Sequence, residues 1–504
     1  MKPACSSLIP FNISRMKELL PYINKSVEEV LGSLSFFLPE LLLGVLFLLL
    51  ILIDLFLGKK FKNSSPLIAF AGILIITLLT LPQFEHAGEV FFGGMLHLTT
   101  FSLLLKVLFG LGMLFIIAFG VRDFPIRHNE KGWGDYFSLL AAVLLGLNLM
   151  VMAGNLLMVF LSIEMVSICS YILVGYTTRE RLPAESAMKY VLFGAVCSAV
   201  MLYGISLLYG LTGTLQLNSD FAASLASAAP LAVSMAVFTT LAGFGFKLSM
   251  FPLHFWVPDV YEGSTNSVLA FLSTLPKAAG AGILIQFMHA TYGFDWETWL
   301  AVFSIITMTI GNFQALWQDN LKRMLAYSSI GHSGFLLMGL AAFSQTGEKA
   351  VFYYLVIYTL ANIGAFVIIG LLAGILHSEN VNSYKGLGFK MPVVSVCFVV
   401  LLMSLIGIPP AGGFVAKFLM FSAAYEGYTV NGNVLFILML IAGAVNTVVA
   451  LFYYLKIPLN LFLRKNEGIV VMARQHLLLK LVIVTLTVLT VILGIFPEAV
   501  MRYF

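Results

Sequence analysis

Fourteen apolar stretches, each about twenty residues long, follow one another along this 504-residue chain. A helix of that length crosses the ~30 Å hydrocarbon core of a bilayer. Helices satisfy every backbone polar group inside lipid, and the short alternating segments of a membrane β-barrel are missing from the sequence. Composition agrees, because 60% of the residues are hydrophobic and only 10% are charged, against about 25% in a soluble domain. The sequence therefore predicts an all-α polytopic membrane protein.

The predicted membrane spans share an apolar centre and are separated by shorter polar loops. Their approximate limits are residues 34–57, 66–82, 99–121, 136–153, 155–176, 187–210, 231–252, 265–290, 298–318, 324–345, 349–376, 393–424, 433–457 and 477–497. We predict five sections, which are an N-terminal extension at 1–33, helices 1–3 at 34–134, a first half with helices 4–8 at 135–290, a second half with helices 9–13 at 298–460, and a loop with helix 14 at 461–504. The extension lacks the uninterrupted apolar core of a signal peptide, and Met16 is an alternative start.

Basic loop residues predict the orientation, because Lys and Arg are enriched in cytoplasmic loops. With the N-terminus outside, the cytoplasmic loops would contain Lys59, Lys60, Lys62, Arg122, Arg127, Lys131, Arg179, Arg181, Lys322, Arg323, Lys385, Lys390, Arg464, Lys465 and Arg474. The opposite internal loops contain only Lys349 among Lys and Arg residues. This asymmetry predicts that both termini lie on the outer side.

One nine-residue block, with the pattern GFxxKxxMF, occurs twice, at residues 243–251 and 413–421. Each copy places a lysine, Lys247 or Lys417, inside an apolar span, where a charge is expensive and usually functional. On the predicted topology the first copy lies on an inward span and the second on an outward span. We therefore predict two inverted five-helix repeats, each of which handles a charge.

Spans seven and twelve are predicted to be discontinuous. Span twelve would be ~48 Å long as one helix at ~1.5 Å per residue, and its middle carries the sequence GIPPAGG at residues 407–413. Proline removes backbone donors and glycine adds conformational freedom, so both favour a break there. Span seven has Gly243 and Gly245 before its lysine and Pro252 after it. Interrupted helices in corresponding halves of a transporter indicate its ion pathway.

Five ionisable residues lie near the middle of predicted spans, and we predict that they form a proton relay. They are Glu164 in span five, Lys247 in span seven, Lys277 in span eight, His332 in span ten and Lys417 in span twelve. A buried ammonium without a partner tends to lose its proton, whereas a nearby carboxylate helps to hold it. A lysine whose carboxylate partner approaches and withdraws is therefore a switchable proton-holding site. Histidine titrates near neutral pH and suits a relay between lysines.

The remaining charges and cysteines predict no further chemistry. We expect Lys106 to extend towards the outer surface, and Glu40 and Asp54, at the two ends of span one, to be interfacial or subunit-contact groups. Lys189 and His254, near the cytoplasmic ends, are candidates for an entry path. The four cysteines have no C-x-x-C spacing, and no P-loop, Rossmann fingerprint or H-E-x-x-H motif is present. The sequence therefore predicts no metal site, no redox cofactor on this chain and no nucleic-acid binding.

Three motifs resemble those of the antiporter-like membrane subunits of respiratory complex I. They are FPLHFWVPDVYEG at 251–263, LPKAA at 275–279 and GIPPAGGF at 407–414, and the resemblance covers roughly residues 36–460. Within this family the chain is similar to the N type of bacterial NADH–quinone oxidoreductase. It ends soon after span fourteen, unlike the L type, and it has Lys417 where the M type typically has glutamate. Span one, with LPELL at 38–42 and Asp54, is also N-like.

The resemblance implies a proton-translocating subunit. It assigns Glu164 and Lys247 as a coupled pair, Lys277 and His332 as a central relay, and Lys417 as the exit-side lysine. The chain would be part of an enzyme only as a translocase subunit, with NADH, FMN, iron–sulfur clusters and quinone on partner subunits. Those partners would include the neighbouring antiporter-like subunit M and the small subunits K and J. The location would be the bacterial inner membrane, with both termini on the periplasmic side.

Three alternatives remain open on the sequence. The chain could belong to a cation/proton antiporter assembly or to a membrane-bound hydrogenase, since both share the fold. A stand-alone transporter for a small solute should have a polar substrate cavity at the helix breaks, where this sequence has little beyond glycine, proline, phenylalanine and lysine. A structural membrane spacer is the third alternative, but the five buried charges argue against it, because a spacer would gain stability by losing them.

Overall fold

The computed structural model describes residues 27–57, 64–128, 133–177, 181–464 and 477–503. Most of the predicted N-terminal extension therefore lies outside the described residues, together with Lys59, Lys60, Lys62, Lys131, Arg179, Lys465 and Arg474. Within the described part, helices dominate. Its only strands are Val90–Phe91 and Leu96–His97, which pair antiparallel in the connection before the third long helix.

We number the helices that correspond to the predicted spans α1 to α14. They are α1 Leu38–Leu57, α2 Ser64–Leu79, α3 Thr100–Gly120, α4 Gly134–Met152, α5 Leu156–Val174, α6 Arg181–Thr212, α7 Pro230–Leu248, α8a Asn266–Leu272 and α8b Leu275–Ala290, α9 Trp296–Ala315, α10 Leu321–Ala341, α11 Gln345–Leu376, α12a Pro392–Ile406 and α12b Gly412–Asn431, α13 Val434–Pro458 and α14 Leu477–Ile495. Shorter elements are the helices Phe124–Arg127, Ser219–Ser227, Trp256–Gly263, Leu387–Lys390 and Glu498–Met501, the 3₁₀ helices Leu81–His86 and Val381–Tyr384, and the π-helical turn Leu459–Leu463.

Twelve helical segments within the described residues are long and apolar enough to cross a membrane. The helix α9 and the two parts of α12 are not among the twelve, and α12a is a shorter apolar helix. The all-helical, polytopic membrane class is therefore confirmed. The count of fourteen spans and the inverted repeat stay predictions.

Side-chain caps fix where several helices begin. The Thr99 side chain accepts a hydrogen bond from the Ser102 backbone N–H at the start of α3, and the Ser102 side chain accepts one from the Thr99 backbone N–H. At the start of α10, the Asn320 side chain accepts from two backbone N–H groups. These polar residues satisfy N–H groups that have no partner inside the helix.

The two predicted interruptions are present. Helix α7 ends at Leu248, and Ser249 takes up a left-handed conformation with φ 58°, which turns the chain. Helix α12a ends at Ile406, and Gly407, with φ 93°, turns the chain before α12b begins. A third interruption, which we did not predict, separates α8a from α8b just before Pro276. Proline has no backbone N–H and is tolerated only in the first turn of a helix, so α8b starts there.

The two most deeply buried membrane segments carry two of the predicted relay residues. The membrane segments of α8 and α10 are 100% and 94% buried inside the bundle, whereas those of α1 and α13 are only 28% buried. Helices α9 and α10 approach closely, since a Cβ added at Gly311 would lie 2.3 Å from the Gly331 backbone nitrogen. Lys277 and His332 therefore lie in the enclosed centre of the molecule.

Candidate functional site

Glu164 and Lys247 lie on α5 and α7 and do not form an ion pair. The Ser198 hydroxyl, on α6, donates a hydrogen bond to Glu164 Oε1. Lys247 is buried in the last turn of α7, and its Nζ has no hydrogen-bond partner. Among the described residues, no carboxylate oxygen lies within 4.0 Å of this nitrogen. The ammonium is thus enclosed without a fixed acceptor, which is costly for a buried charge.

Lys247 also lies against the helix that carries Lys277. A Cβ added at Gly280, one turn after Lys277, would lie 3.4 Å from Lys247 Cβ. Because Gly280 has no side chain, the end of α7 can pack closely against α8b, the helix that carries Lys277. The structure brings these two predicted site residues to neighbouring turns, although no direct hydrogen bond joins them.

Lys277 is fully satisfied by α10. Its Nζ donates to Ser329 O at 2.6 Å, to Ser329 Oγ at 2.6 Å and to Ser333 Oγ at 2.9 Å. An ammonium has three donors, so this nitrogen uses all of them. The two serines are four residues apart and therefore share one face of α10.

Two tyrosine hydroxyls of α11 bind Ser329 and His332 separately. Ser329 Oγ lies 2.9 Å from Tyr358 OH, and His332 Nδ1 lies 2.6 Å from Tyr354 OH. The His332 ring is also 4.9 Å, between centroids, from the Tyr358 ring. Hydroxyl groups both donate and accept, so each can take part in proton transfer, although no hydrogen bond among the described residues joins Tyr354 OH to Tyr358 OH.

The polar residues of α10 and α11 beside Lys277 and His332 were not predicted from the sequence. The missed set shares a helical spacing of four residues within otherwise apolar spans, and consists of Ser329, Ser333, Tyr354, Tyr358 and Asn362. Asn362 Nδ2 donates to Tyr358 OH at 3.1 Å, which completes the polar face. A search for polar residues at i and i+4 inside apolar spans would have found this face.

Lys417 lies in the second turn of α12b, directly after the helix break. Its Nζ donates to Ile406 O at 2.7 Å, the last residue of α12a, and lies 4.4 Å from the centre of the Phe335 ring. Helix C-terminal carbonyls lack partners within their helix and favour a cation. Lys417 and His332 also line one cavity of 10 Å³, close to the smallest volume that holds a water molecule.

Two predictions about the first helices are wrong. Lys106 does not reach the outer surface, because its side chain is fully buried and its Nζ lies 2.6 Å from Glu40 Oε1. Glu40 is likewise not interfacial, since it is 1% exposed. Helix α3 is enclosed by its neighbours, and a carboxylate and the Gln83 carbonyl oxygen satisfy the ammonium inside the bundle. A lysine with internal acceptors has no need to extend to water.

Charged groups also cluster at the bundle end where α10 begins. Asp259, in the short helix Trp256–Gly263, forms ion pairs with Lys189 at 2.7 Å and Arg323 at 3.0 Å. Burial acts to raise the pKa of Asp259, but hydrogen bonds from these two cations outweigh it and hold the pKa below its ordinary value. Lys189, predicted near an entry path, is thus engaged in ion pairs.

A polar cavity of 650 Å³ lies beside this charged cluster, and Asp123, Lys322 and Glu379 line it. Lys322 pairs with Glu379 at 2.5 Å, and the Ser267 backbone N–H donates to Asp123 at 2.9 Å. Burial nevertheless raises the pKa of the Asp123 carboxyl. Within the described residues, no group of three or more His, Cys, Asp or Glu side chains is arranged to hold a metal ion.

The broken helices, the buried lysines and the central histidine define an antiporter-like membrane protein. The family model described as NADH:quinone oxidoreductase/Mrp antiporter, TM, matches residues 153–444. NADH-quinone oxidoreductase subunit N 2 of Chloroherpeton thalassium is 38% identical and covers 93% of this chain and 94% of its own length. Subunit N of Chlorobium chlorochromatii is 37% identical, with 94% of each chain covered. The chain therefore belongs to the NADH:quinone oxidoreductase/Mrp antiporter transmembrane family, and its resemblance to N-type subunits is confirmed.

Solved structures agree with this assignment. A chain of respiratory complex I from Thermus thermophilus with bound aureothin has a TM-score of 0.78 and 27% identity, covering 92% of this chain and 98% of that chain. A chain of the membrane-bound sulfane sulfur reductase, an archaeal respiratory membrane complex, has a TM-score of 0.83 at 22% identity, covering 93% of this chain and 96% of that chain. The second likeness concerns the fold alone.

Proposed function

We propose that this chain is a proton-translocating membrane subunit of an NADH–quinone oxidoreductase assembly. The observation that carries the proposal is the series of buried groups from Lys277 through Ser329 and Tyr358 to His332 and Lys417, in which successive members are hydrogen-bonded or share a contact or cavity. Such groups are expensive in a membrane and mark ion pathways. A structural spacer or a solute transporter would not need a continuous spatial series of such buried groups.

In the proposed mechanism, quinone reduction elsewhere in the assembly changes the separation of Glu164 and Lys247. When the carboxylate withdraws, the unpaired ammonium of Lys247 favours proton release. The proton passes towards Lys277, then through the hydroxyl groups of α10 and α11 to His332 and Lys417. When the carboxylate returns, Lys247 reloads. The open arrangement of Glu164 and Lys247 supports a pair that closes and opens.

The proposed setting follows from the relatives. The partners are other subunits of the assembly, including an M-type antiporter-like subunit and the small K and J subunits. Those other subunits hold NADH, FMN, the iron–sulfur clusters and quinone. The proposed location is the bacterial inner membrane, with both termini on the periplasmic side. Co-purification through a C-terminal tag tests the partners, and recovery with cation-antiporter subunits instead would replace the driving reaction.

Substitution of the coupled pair tests the transport role. Lys247→Ala and Glu164→Ala are introduced into the intact assembly, which is reconstituted in liposomes, and protons translocated per electron pair delivered to quinone are measured. We expect both variants to assemble and to lose proton translocation. Lys349→Ala, near the start of α11 and outside the relay, is the matched control and should pump as wild type. Wild-type stoichiometry in both relay variants would disprove the mechanism.

A further inference from the structure

A buried polar cluster lies outside the relay, between the first four long helices. We call Glu40, Gln83, Lys106 and Asn148 the α1–α3 cluster. Lys106 Nζ lies 2.6 Å from Glu40 Oε1 and donates to Gln83 Oε1 at 2.6 Å, while Asn148 Nδ2 donates to Glu40 Oε1 at 3.4 Å. The Glu40 and Lys106 side chains are completely buried. The cluster therefore contains two titratable groups sealed from solvent.

The hydrogen bonding of the α1–α3 cluster leaves room for one more proton. Glu40 Oε2 and Asn148 Oδ1 are both buried acceptors without a partner among the described residues, which is costly for a buried polar atom. A proton on Glu40 Oε2 would convert that atom into a donor on the carboxyl group that the Asn148 amide already contacts. The third contact of Lys106 Nζ is with the Met152 sulfur, at 3.6 Å. A thioether sulfur is a weak acceptor. Lys106 can therefore give up one proton without losing a strong hydrogen bond.

The cluster lies directly behind the helix that carries Lys277. Gln286 of α8b donates to Val151 O, one residue before the Met152 that contacts Lys106. A Cβ added at Gly282 of α8b would lie 2.8 Å from Leu105 Cδ1, one residue before Lys106. Because residues next to Lys106 and Met152 pack this closely against α8b, a shift of Lys106 would also displace α8b.

We propose that the α1–α3 cluster is a second proton-holding site, in which Glu40 and Lys106 gain and lose a proton in step with the relay through α8b. This inference rests on the proposed proton-translocating function. A purely structural tie gains little from the two charges, because apolar side chains of similar volume often replace a buried ion pair without loss of stability. The acceptors without a hydrogen-bond partner can instead accommodate a proton that the cluster gains and loses.

The double variant E40Q/K106M separates the two roles. It removes both charges together, so no uncompensated charge stays buried, and the amide introduced by E40Q can donate to the Asn148 side chain that Glu40 already contacts. The intact assembly is reconstituted in liposomes, and quinone reduction and proton translocation are measured together. We expect normal assembly, retained quinone reduction and a loss of protons translocated per electron pair. The control E297Q removes a partly exposed carboxylate in the first turn of α9, outside both the cluster and the relay, and should pump as wild type.

Wild-type proton translocation by E40Q/K106M would overturn this inference, since it would make the cluster a structural tie. If the double variant fails to assemble, infrared difference spectra of wild type and the single variant E40Q are compared between about pH 4 and about pH 10.5, a range that spans the ordinary pKa values of glutamate, histidine and lysine side chains. A carboxylic-acid band absent from E40Q supports the site, and no Glu40-dependent band overturns it. Failure of the proposed function is distinguishable, because it requires normal pumping by Lys247→Ala.

Discussion

The two copies of the GFxxKxxMF block hold their lysines in opposite ways. Lys247 lies in the last turn of α7, before a helix break, and its Nζ has no hydrogen-bond partner among the described residues. Lys417 lies after a break, in the second turn of α12b, and its Nζ is bound to the Ile406 carbonyl. The same residue pattern therefore gives one free and one anchored ammonium, and the position of the break decides which.

The direction of helical side chains explains this difference. Side chains on a helix point towards its N-terminus. From Lys247 that direction leads along α7, whose carbonyl oxygens are already bonded within the helix. From Lys417 it leads back across the break to the end of α12a, where the last carbonyl oxygens lack helical partners. The free lysine is suited to switching between partners, and the anchored lysine is suited to receiving a proton at a fixed place.

The largest expected difference between the copies concerns their first glycine. A Cβ at Gly413 would lie 1.6 Å from the Ser404 backbone oxygen, whereas a Cβ at Gly243 would lie 2.1 Å from the Met201 sulfur. Backbone cannot yield, but a methionine side chain can change rotamer. We expect Gly413→Ala to cost at least about 1–3 kcal/mol and Gly243→Ala to cost less. Thermal unfolding of the purified assembly measures both, and equal shifts would contradict the argument.

Removing each lysine in turn tests the anchoring. Lys417→Met leaves the Ile406 carbonyl without its partner, at a cost of about 1–3 kcal/mol. Lys247→Met breaks no hydrogen bond and removes an unpaired buried charge, so we expect neutral or increased stability. Melting temperatures of the two variants in detergent give the comparison. If Lys247→Met were the less stable of the two, Lys247 would have a partner that this arrangement does not contain.

Local patterns predicted the helices and two of their breaks, but not the pairings between distant helices. The break at 407–411 follows from its own prolines and glycines, and the lysines stand out because charges are rare in apolar spans. Glu40 and Lys106, in contrast, meet only because α1 and α3 pack together, which no short window of sequence records. The four-residue spacing of Ser329 with Ser333 and of Tyr354 with Tyr358 marks a polar face, but it does not show that this face meets Lys277. Hydroxyl groups are common in membrane helices, and only packing shows which of them face a lysine.

A smaller effect is expected at the hydroxyl that holds Glu164. Ser198 donates to Glu164 Oε1, and because both side chains are partly exposed this bond contributes about 1 kcal/mol, as an ordinary hydrogen bond does. We expect Ser198→Ala to lose that amount and to free the carboxylate to approach Lys247, so that the first copy also becomes anchored. The Glu164-to-Lys247 distance in a structure of the variant is the measurement. Ser198→Thr keeps the hydroxyl and is the control, and an unchanged distance in Ser198→Ala would mean that Ser198 does not restrain Glu164.

The smallest expected effect concerns the segment after the α7 break, where the ion pairs of Asp259 should make stability depend on acid pH. Because the pKa of Asp259 in the folded protein lies below its ordinary value of 3.8, its ion pairs stabilise the fold above that value. This contribution is lost as the pH falls through the lowered pKa. Asp259 is partly exposed, so the contribution is at most about 1 kcal/mol. We expect the melting temperature of Asp259→Asn to fall less than that of wild type between neutral and acid pH.

The control for this acid response is Asp220→Asn, in the exposed short helix Ser219–Ser227, where the described residues offer no ion pair. Its melting temperature should follow the wild-type curve across the same pH range. Parallel curves for wild type and Asp259→Asn would mean that Lys189 and Arg323 do not stabilise the segment after the α7 break. The free end of the first copy would then be held by packing alone, and the difference between the two lysines would rest entirely on the breaks beside them.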